Sequence, residues 1–195
     1  MTPLDATRYL WLAWAITWFA AAVWSGRTVK RPAIAREVAY RVITSAGAVL
    51  LFGVAGIRRH DIPFWRLDGA FGWLLAAVAL AGTLFMWWAR VTLGRLWSGS
   101  VTHKAGHYVI DHGPYAIVRH PIYTGLIVAI AATVGIRASA QTLIGAMLMT
   151  IGVYIKARLE ENFLRMELGP AYDAYAQRVP MLIPSGRELV FRDAR

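Results

Sequence analysis

The sequence predicts an all-α integral membrane protein with about five transmembrane helices. The last two helices form a hairpin, and a cytoplasmic C-terminal tail follows. Three observations support this fold class: the composition, five uncharged runs and the placement of basic residues. The 195 residues are 57% hydrophobic and 16% charged, against about 45–50% and 25% in soluble domains. A soluble chain this short cannot bury so much apolar surface, and disordered chains are poor in apolar residues.

Five runs without a charged residue mark the predicted helices, since a membrane-crossing helix needs roughly 20 apolar residues. In chain order they are 9–26, 42–57, 69–89, 121–136 and 138–155. The second run is short, but snorkelling of Arg41 and Arg58 lengthens it. Only Arg137 separates the last two runs. We therefore expect a tight helical hairpin with its turn at the membrane surface.

The first helix carries Trp11, Trp14 and Trp18, whose spacing places them on one face. These side chains could serve packing and interfacial anchoring, or form the wall of a groove for a lipid substrate. Asp5 near the N-terminus and the tryptophan-rich run favour a retained helix over a cleaved signal peptide.

The basic residues predict the orientation. Sixteen of the 21 Lys and Arg residues fall in alternate connecting segments, and basic segments stay in the cytoplasm. This places the N-terminus outside, and the loop 90–120 and the tail 156–195 together on the cytoplasmic face of an inner membrane. The net charge of +10 then favours anionic lipid head groups, and not nucleic acid, as the partner. We divide the chain into N-terminal helices 1–89 and a catalytic core 90–195.

The segment 112–125 holds the first group of candidate functional residues. Gly113 and Pro114 form a turn, and Pro121 suits the first turn of a helix. Arg119 and His120 therefore lie at the N-terminus of the fourth helix, where free backbone N–H groups and the helix dipole favour an anion.

The second group lies beyond the fifth apolar run. Glu160 and Glu161 are adjacent, so their side chains point about 100° apart. We expect one to bind a ligand and the other to pair with Arg158 or Arg165. The hairpin places this pair beside Arg119 and His120, and ionisable groups near a membrane favour a functional interpretation.

The remaining sequence features exclude several kinds of site. Gly169 and Pro170 end the fifth helix, and Tyr172 and Tyr175 share one face of the turn that follows. The chain has no cysteine, which excludes disulfides, thiolate metal sites and a cysteine nucleophile. His103 and His107 are four residues apart but lack a third ligand at suitable spacing, so we expect no metal. Neither a Rossmann nor a P-loop signature is present.

These residues, in this order, resemble the isoprenylcysteine carboxyl methyltransferase family, whose core the phospholipid N-methyltransferases share. The resemblance covers roughly residues 90–185. It rests on Gly113, Pro114, Tyr115, Arg119, His120, Pro121, Tyr123, Gly125, Glu160, Glu161, Gly169, Tyr172, Tyr175, Val179, Pro180, Ile183 and Pro184.

The resemblance implies a membrane enzyme that binds S-adenosylmethionine (SAM) between the last two helices and the tail. It implies catalytic and cofactor-binding roles for Arg119, His120, Glu160 and Glu161. Further pocket residues by the same likeness are His112, Gly113, Tyr115, Tyr123, Tyr172 and Tyr175, with contributions from the segments 95–98 and 107–113.

The chemistry of SAM agrees with this assignment. A Glu carboxylate can pair with its ammonium, Arg119 and the helix N-terminus with its carboxylate, and tyrosine rings with its sulfonium. The acceptor would be a lipid-like or prenylated molecule that enters from the membrane. A carboxylate acceptor needs no general base, whereas an amine must lose a proton, to His120 or a Glu.

Two other classes stay open. Sterol-reductase-like enzymes, which use NADPH, also carry an Arg-His-Pro-x-Tyr run, but the Glu pair and the tail tyrosines favour a methyltransferase. A non-enzymatic small membrane protein is disfavoured, because transporters place polar groups at the bilayer midplane, whereas here they gather at one face.

Overall fold

Six helices make up most of the structure, a computed structural model that describes residues 1–26, 28–30, 34–53, 62–65, 67, 69–100, 103–104 and 108–184. They are α1 (Pro3–Ala20), α2 (Ile34–Phe52), α3 (Ala70–Leu93), α4 (Pro121–Arg137), α5 (Ala140–Leu168) and α6 (Pro170–Arg178). Short 3-10 turns lie at Ala21–Trp24, Gly94–Leu96 and Gly113–Ala116. Two short strands, β1 (Thr28–Lys30) and β2 (His103–Lys104), pair antiparallel. Each uncharged run overlaps one of the first five helices.

Helix α2 begins at Ile34, eight residues before the uncharged run that predicted it, so the predicted start was wrong. The extra turns contain Glu37, which is buried. Its carboxylate accepts hydrogen bonds from the Tyr40 hydroxyl at 3.2 Å and from Arg41 Nε at 3.1 Å. A charge that is partnered within the helix does not end the helix. The end of this run, residues 54–57, lies outside the described residues.

The bundle is built from two close helix pairs, α3 against α4 and α2 against α5. At the α3–α4 crossing, a Cβ atom on Gly82 would lie 2.7 Å from the Gly125 carbonyl oxygen. At the α2–α5 crossing, a Cβ atom on Gly47 would lie 2.7 Å from the Gly145 carbonyl oxygen. Small residues permit such close backbone approach. Helices from residues 1–89 thus pack directly on those of the core 90–195.

The α4–α5 connection is the tight hairpin that the sequence predicts. Ala138 adopts a left-handed conformation with φ of 42° and closes α4. Ser139 then caps α5, and its hydroxyl accepts a hydrogen bond from the Thr142 backbone N–H at 3.2 Å. The N-terminus of α4 and the later turns of α5 therefore lie near one another at the opposite end of the pair.

The outward surface of the bundle is apolar. Helices α3 and α5 are long and apolar enough to cross a membrane, and α4 is a shorter apolar helix. Exposed side chains on α3 and α5 include Leu74, Leu80, Leu84, Val91, Leu143, Met147 and Ile151. A helix that exposes this much apolar surface suits lipid and not water. These features are those of a membrane protein.

Arg90 does not lie in a surface loop, where the orientation argument had placed it. It is fully buried within α3. Its Nη1 donates to the Gly94 carbonyl at 2.9 Å and its Nη2 to the Ala21 carbonyl at 2.8 Å. The guanidinium carbon lies 4.3 Å from the Trp97 ring centroid, within cation–π range. Arg90 therefore joins the end of α1 to the turn after α3.

Candidate active site

A cavity of about 590 Å³ lies among all six helices, bordered by the first turns of α4 and by Met86 and Leu93 of α3. Such a volume is typical of small-molecule sites, which span roughly 300–1,000 Å³. The segments Leu96–Ser100 and Tyr108–Ile110 complete its wall. The resemblance had implicated both stretches of chain as pocket loops, and their side chains reach the cavity.

A polar cluster of three side chains lines one part of this cavity. The Tyr123 hydroxyl donates toward Glu160, and its oxygen lies 2.8 Å from both carboxylate oxygens. The His120 ring stacks on Tyr123, with centroids 5.4 Å apart and planes 11° apart. His120 Nδ1 lies 3.7 Å from Glu160 Oε2. The sequence-predicted residues His120, Tyr123 and Glu160 therefore converge on one wall.

Glu161 points away from the cavity and is buried behind it. Its Oε1 accepts from Arg119 Nε at 2.7 Å and lies 2.6 Å from Nη2. His120 Nε2 is 3.4 Å from the same oxygen. Burial raises the pKa of Glu161, but the His120 and Arg119 contacts outweigh this effect and lower the pKa to about 2. Glu161 is thus an ionised structural carboxylate.

The two glutamates point to different surroundings, as expected, and the expected Glu161–Arg165 ion pair is present, but Arg119 is the nearer partner. Glu161 pairs mainly with Arg119, from the other helix of the hairpin, and Arg165 Nη2 approaches only to 3.9 Å. Arg158 is exposed and does not line the cavity. The Arg119 side chain is 10% exposed and that of Arg165 is 47% exposed, so solvent screens the Arg119 pair less.

The Arg119 side chain also holds the C-terminal tail. Its Nη1 donates to the carbonyl oxygens of Ala176 at 2.8 Å and Val179 at 2.5 Å. The guanidinium borders the cavity, yet protein atoms occupy its Nε and both terminal nitrogens. Arg119 therefore fixes α6 against the start of α4.

The tail also covers the N-terminus of α4. The backbone N–H groups of Arg119 and His120 donate to the carbonyls of Pro180 and Met181, at 2.8 and 3.1 Å. The N–H groups of residues 123 and 124 donate to the His120 carbonyl. The prediction of an open anion site at this helix end is wrong for these groups, because the tail and the helix turn satisfy them.

Three buried tyrosines form another wall. Tyr172 and Tyr175 lie on one face of α6, as predicted, with ring centroids 5.9 Å apart. The Tyr175 hydroxyl donates to the Tyr115 carbonyl at 2.7 Å. Burial raises the pKa of all three phenols. They consequently line the cavity as neutral rings.

Two predicted pocket residues, His112 and Gly113, do not line the cavity. His112 is exposed. Gly113 has a φ of 59°, and a Cβ there would face Thr92 on the flank of α3. Gly113 therefore serves the turn. No group of three His, Cys, Asp or Glu that could hold a metal occurs in the part of the chain that the structure describes. The side chains of His103 and His107 lie outside that part.

Several cavity residues carry no recognisable signal in the sequence. Helix α1 contributes Trp14 and Trp18, for which a groove wall was one of two interpretations. Unforeseen lining residues include Tyr40, Arg41, Thr44, Ser45 and Lys156. For Lys156 a signal existed, because it precedes Glu160 by four residues and so shares its helix face. Helix α2 carries no motif that a single sequence reveals.

The structure is an apolar helical bundle of the kind found in membranes, and the cavity beside its hairpin carries a polar cluster on one wall. Residues 74–166 match the sequence family described as the isoprenylcysteine carboxyl methyltransferase (ICMT) family. This match contains α4 and the Lys156–Glu161 turn, and it confirms the resemblance seen in the motifs.

Individual relatives align with this chain over differing lengths. Methanethiol S-methyltransferase of a Pseudomonas species is 43% identical over 70 residues, covering 36% of this chain and 26% of the relative. Methanethiol S-methyltransferase 2 of Bradyrhizobium diazoefficiens is 29% identical over 174 residues, covering 78% of this chain and 61% of the relative. Protein-S-isoprenylcysteine O-methyltransferase B of Arabidopsis thaliana is 29% identical over 135 residues, covering 66% of this chain and 63% of the relative. The chain thus spans less than two thirds of each relative's length.

Proposed function

We propose that this protein is a SAM-dependent membrane methyltransferase. It transfers a methyl group to a lipid-like or prenylated acceptor, most like an isoprenylcysteine carboxyl O-methyltransferase. The observation that carries the proposal is the Glu160 carboxylate in the cavity beside His120 and Tyr123. This cluster lies within the segment that matches a methyltransferase family.

The residues of the polar cluster fit SAM. When bound, SAM supplies an electrophilic methyl group on a positively charged sulfur, with an ammonium and a carboxylate at its amino-acid end. Glu160 receives one hydrogen bond from Tyr123 and lies 3.8 Å from Lys156 Nζ. Its two oxygens have about four lone-pair sites, so the carboxylate keeps acceptor capacity for the ammonium of a ligand. The faces of Tyr115, Tyr172 and Tyr175 suit a cationic ligand, because neutral aromatic rings attract cations.

Arg119 and Glu161 have a different role in this proposal. They fix the tail and the start of α4, and so orient His120 between the two glutamates. Arg119 lies at the edge of the site, but its nitrogens donate hydrogen bonds to Glu161 and to the tail carbonyls. Both are positioning residues for the cluster that Glu160 forms.

The apolar part of the cavity is the proposed acceptor site. The ring centroids of Trp14 and Trp18 lie 5.2 Å apart, and those of Trp18 and Trp97 lie 5.6 Å apart. Phe19, Met86 and Leu126 extend this wall. Burial of an apolar chain there would contribute about 25 cal/mol per Å². An acceptor with a long apolar chain, such as a prenyl group, therefore fits this wall.

Catalysis then rests on positioning and on exclusion of water. A carboxylate acceptor is already ionised, so the chain need not supply a general base. Fixed geometry between two bound reactants can supply several kcal/mol of the barrier reduction. Aromatic and aliphatic side chains around the cavity exclude water, which strengthens the electrostatic contacts within it.

A second candidate acceptor is a thiol. Two relatives are named methanethiol S-methyltransferases, and one of them aligns with 78% of this chain. A thiol must lose its proton before transfer. The same cavity then receives a thiolate in place of a carboxylate.

The proposed topology has α1–α5 crossing an inner membrane, with the N-terminus outside and the cavity facing the cytoplasm. Basic residues after α1, after α3 and in the tail support this orientation. Arg41 and Arg90 contribute less to this orientation than the sequence suggested. Arg90 is buried inside the bundle, and Arg41 is paired with Glu37. Cysteine labelling of tail and turn positions in intact cells tests the orientation.

The function is tested with full-length protein in nanodiscs. We expect binding of S-adenosylhomocysteine (SAH), measured by calorimetry, and transfer of a labelled methyl group from SAM to an added acceptor. A prenylcysteine, an alkanethiol and a phosphatidylethanolamine, assayed in parallel, separate O-, S- and N-methylation. Binding of NADPH without binding of SAH would overturn the proposal in favour of a reductase.

A further inference from the structure

We propose that Met86 ends the cavity on the acceptor side and so limits the length of the acceptor's apolar chain. This inference rests on the proposed methyl transfer and names the size class of its second substrate. Met86 lies on α3 and lines the cavity, yet its side chain is fully buried. Met86 is therefore a point where the cavity meets the core of the bundle.

The core beyond Met86 offers no space for a chain. Met86 packs in a cluster of buried side chains. Within the described part of the chain, the other buried members of this cluster do not line the cavity. They are Trp11, Leu51, Ala129, Ile130, Ala146 and Met149. Close-packed interiors leave few voids larger than a water molecule, so a ligand that reaches Met86 stops there.

Two neighbouring helices end their contribution to the cavity beside Met86. Toward the α4–α5 turn, Trp14 is the last lining residue of α1 and Leu126 is the last lining residue of α4. Both side chains pack against the core cluster that contains Met86. We call Trp14, Met86 and Leu126 the floor of the cavity.

The close crossing of α3 and α4 fixes the floor in place. A Cβ atom on Gly125 would lie 2.9 Å from Met86 Cγ, so the Met86 side chain rests directly against the α4 backbone. The same crossing brings the Gly82 and Gly125 backbones together one turn before Met86. Met86 consequently cannot withdraw toward α4 to make room for a longer ligand.

The distance from the polar cluster to the floor limits the chain. Val153 is the last lining residue of α5 toward the α4–α5 turn, and it precedes Glu160 by seven positions. Seven residues of α-helix rise by roughly 10 Å. The acceptor's reacting atom must lie beside the cofactor, so its apolar chain has at most this depth. An octyl or geranyl chain fits such a depth, whereas a farnesyl chain must fold back.

The lining above the floor favours hydrocarbon. Trp18, Ile122 and Val153 add apolar surface to that of the floor. Each methylene group buried against such surface should strengthen binding roughly fourfold. This gain ends where the chain meets Met86, so a chain that just reaches the floor is the preferred one.

The test measures affinity as a function of chain length. Full-length protein in nanodiscs is titrated by calorimetry with alkylthioacetates and alkanethiols that carry butyl, octyl or decyl chains, with and without SAH. The two head groups represent the carboxylate and the thiol acceptor. Each affinity is divided by the wild-type value at the same chain length, which removes the partition of the ligand into lipid.

Two variants move the floor in opposite directions. Met86→Ala removes the side chain beyond Cβ and deepens the cavity. We expect it to raise the decyl-to-octyl affinity ratio at least about 10-fold over the wild type, because two more methylene groups are buried. Leu126→Phe adds volume at the floor and should lower the octyl-to-butyl ratio by a similar factor.

Met149→Ala is the matched control. Met149 is buried in the same core cluster but does not line the cavity. This variant loosens the core without deepening the cavity, so it should keep the wild-type ratios. Thermal unfolding checks that each variant is folded, and Leu126→Phe decides the question if Met86→Ala is not.

Other results decide against the floor. Wild-type ratios in Leu126→Phe and in folded Met86→Ala would overturn it, and so would an equal shift in Met149→Ala. SAH binding and methyl transfer would stand in either case. Shifted ratios in a protein that binds no SAH would instead retain the floor and overturn the proposed methyl transfer.

Discussion

The Arg119 guanidinium and the Glu161 carboxylate form a buried ion pair between residues 42 positions apart in the chain. The pair joins the start of α4 to the later turns of α5, and through Arg119 also to the tail. Adjacent glutamates thereby divide their roles. Glu161 belongs to the architecture of the site, whereas Glu160 faces its cavity.

This ion pair predicts a strong effect on stability. Arg119→Met or Glu161→Gln should each lower the free energy of unfolding by roughly 3–5 kcal/mol, because each leaves a buried partner uncompensated. Thermal unfolding in detergent measures the loss.

The double variant Arg119→Met/Glu161→Gln supplies the control. Because the two groups touch, we expect a coupling energy of about 1–3 kcal/mol. The free energy of unfolding that the double variant loses should therefore be smaller than the two single losses added together. Additive losses would show that the pair is not coupled.

The ion pair also predicts a pH dependence. The pKa of Glu161 is lowered to about 2 in the folded protein, against an ordinary value of 4.5. Its contribution to stability is therefore complete above pH 4.5 and is lost as the pH falls toward 2. The stability difference between wild type and Glu161→Gln should stay constant from pH 8 to pH 5 and shrink below 4.5. A difference that already falls between pH 7 and pH 6 would contradict control by the Glu161 carboxylate.

The α3–α4 crossing predicts intolerance to a single methyl group. In Gly82→Ala the new Cβ would lie 2.7 Å from the Gly125 carbonyl oxygen, and backbone cannot move aside as a flexible side chain does. We expect a loss of about 1–3 kcal/mol, the usual cost of overpacking. Ala81→Val adds more volume on the neighbouring exposed position and should change the unfolding temperature little. Equal stability of both variants would contradict the close crossing.

Much of this fold is readable from the sequence, because apolar runs and turn residues act locally. Pro121, Gly169 and Pro170 mark helix ends where the structure has them. The divergence of Glu160 and Glu161 follows from helix geometry alone. The start of α2 was missed, because Glu37 and Arg41 satisfy each other within the helix and need no loop.

The limits of the sequence lie in long-range pairing. No local rule indicates that Arg119 prefers Glu161 to an open helix terminus, or that the Pro180 and Met181 carbonyls cover that terminus. Contacts of this kind depend on the docking of the tail. The contribution of Tyr40 and Arg41 to the cavity likewise depends on how α2 crosses α5.

Because Glu160 faces the cavity and Glu161 does not, we expect a Glu160 variant to lose SAH affinity without losing stability. Glu160→Gln removes the carboxylate that faces the cavity and keeps a similar shape. A hydrogen bond to a charged group contributes about 1.5–3 kcal/mol. SAH binding should therefore weaken between about 10-fold and 150-fold, with little change in the unfolding temperature.

Two comparisons make this prediction specific. Glu167→Gln changes the same residue type on α5, outside the cavity wall, and should bind SAH like the wild type. Glu161→Gln should lower the unfolding temperature far more than Glu160→Gln does. If Glu160→Gln binds SAH with wild-type affinity while Glu161→Gln, still folded at low temperature, does not, then the two roles are reversed. The ammonium would then bind on the Arg119 side of the cluster, because a carboxylate that leaves affinity unchanged when neutralised does not contact the charged end of the ligand.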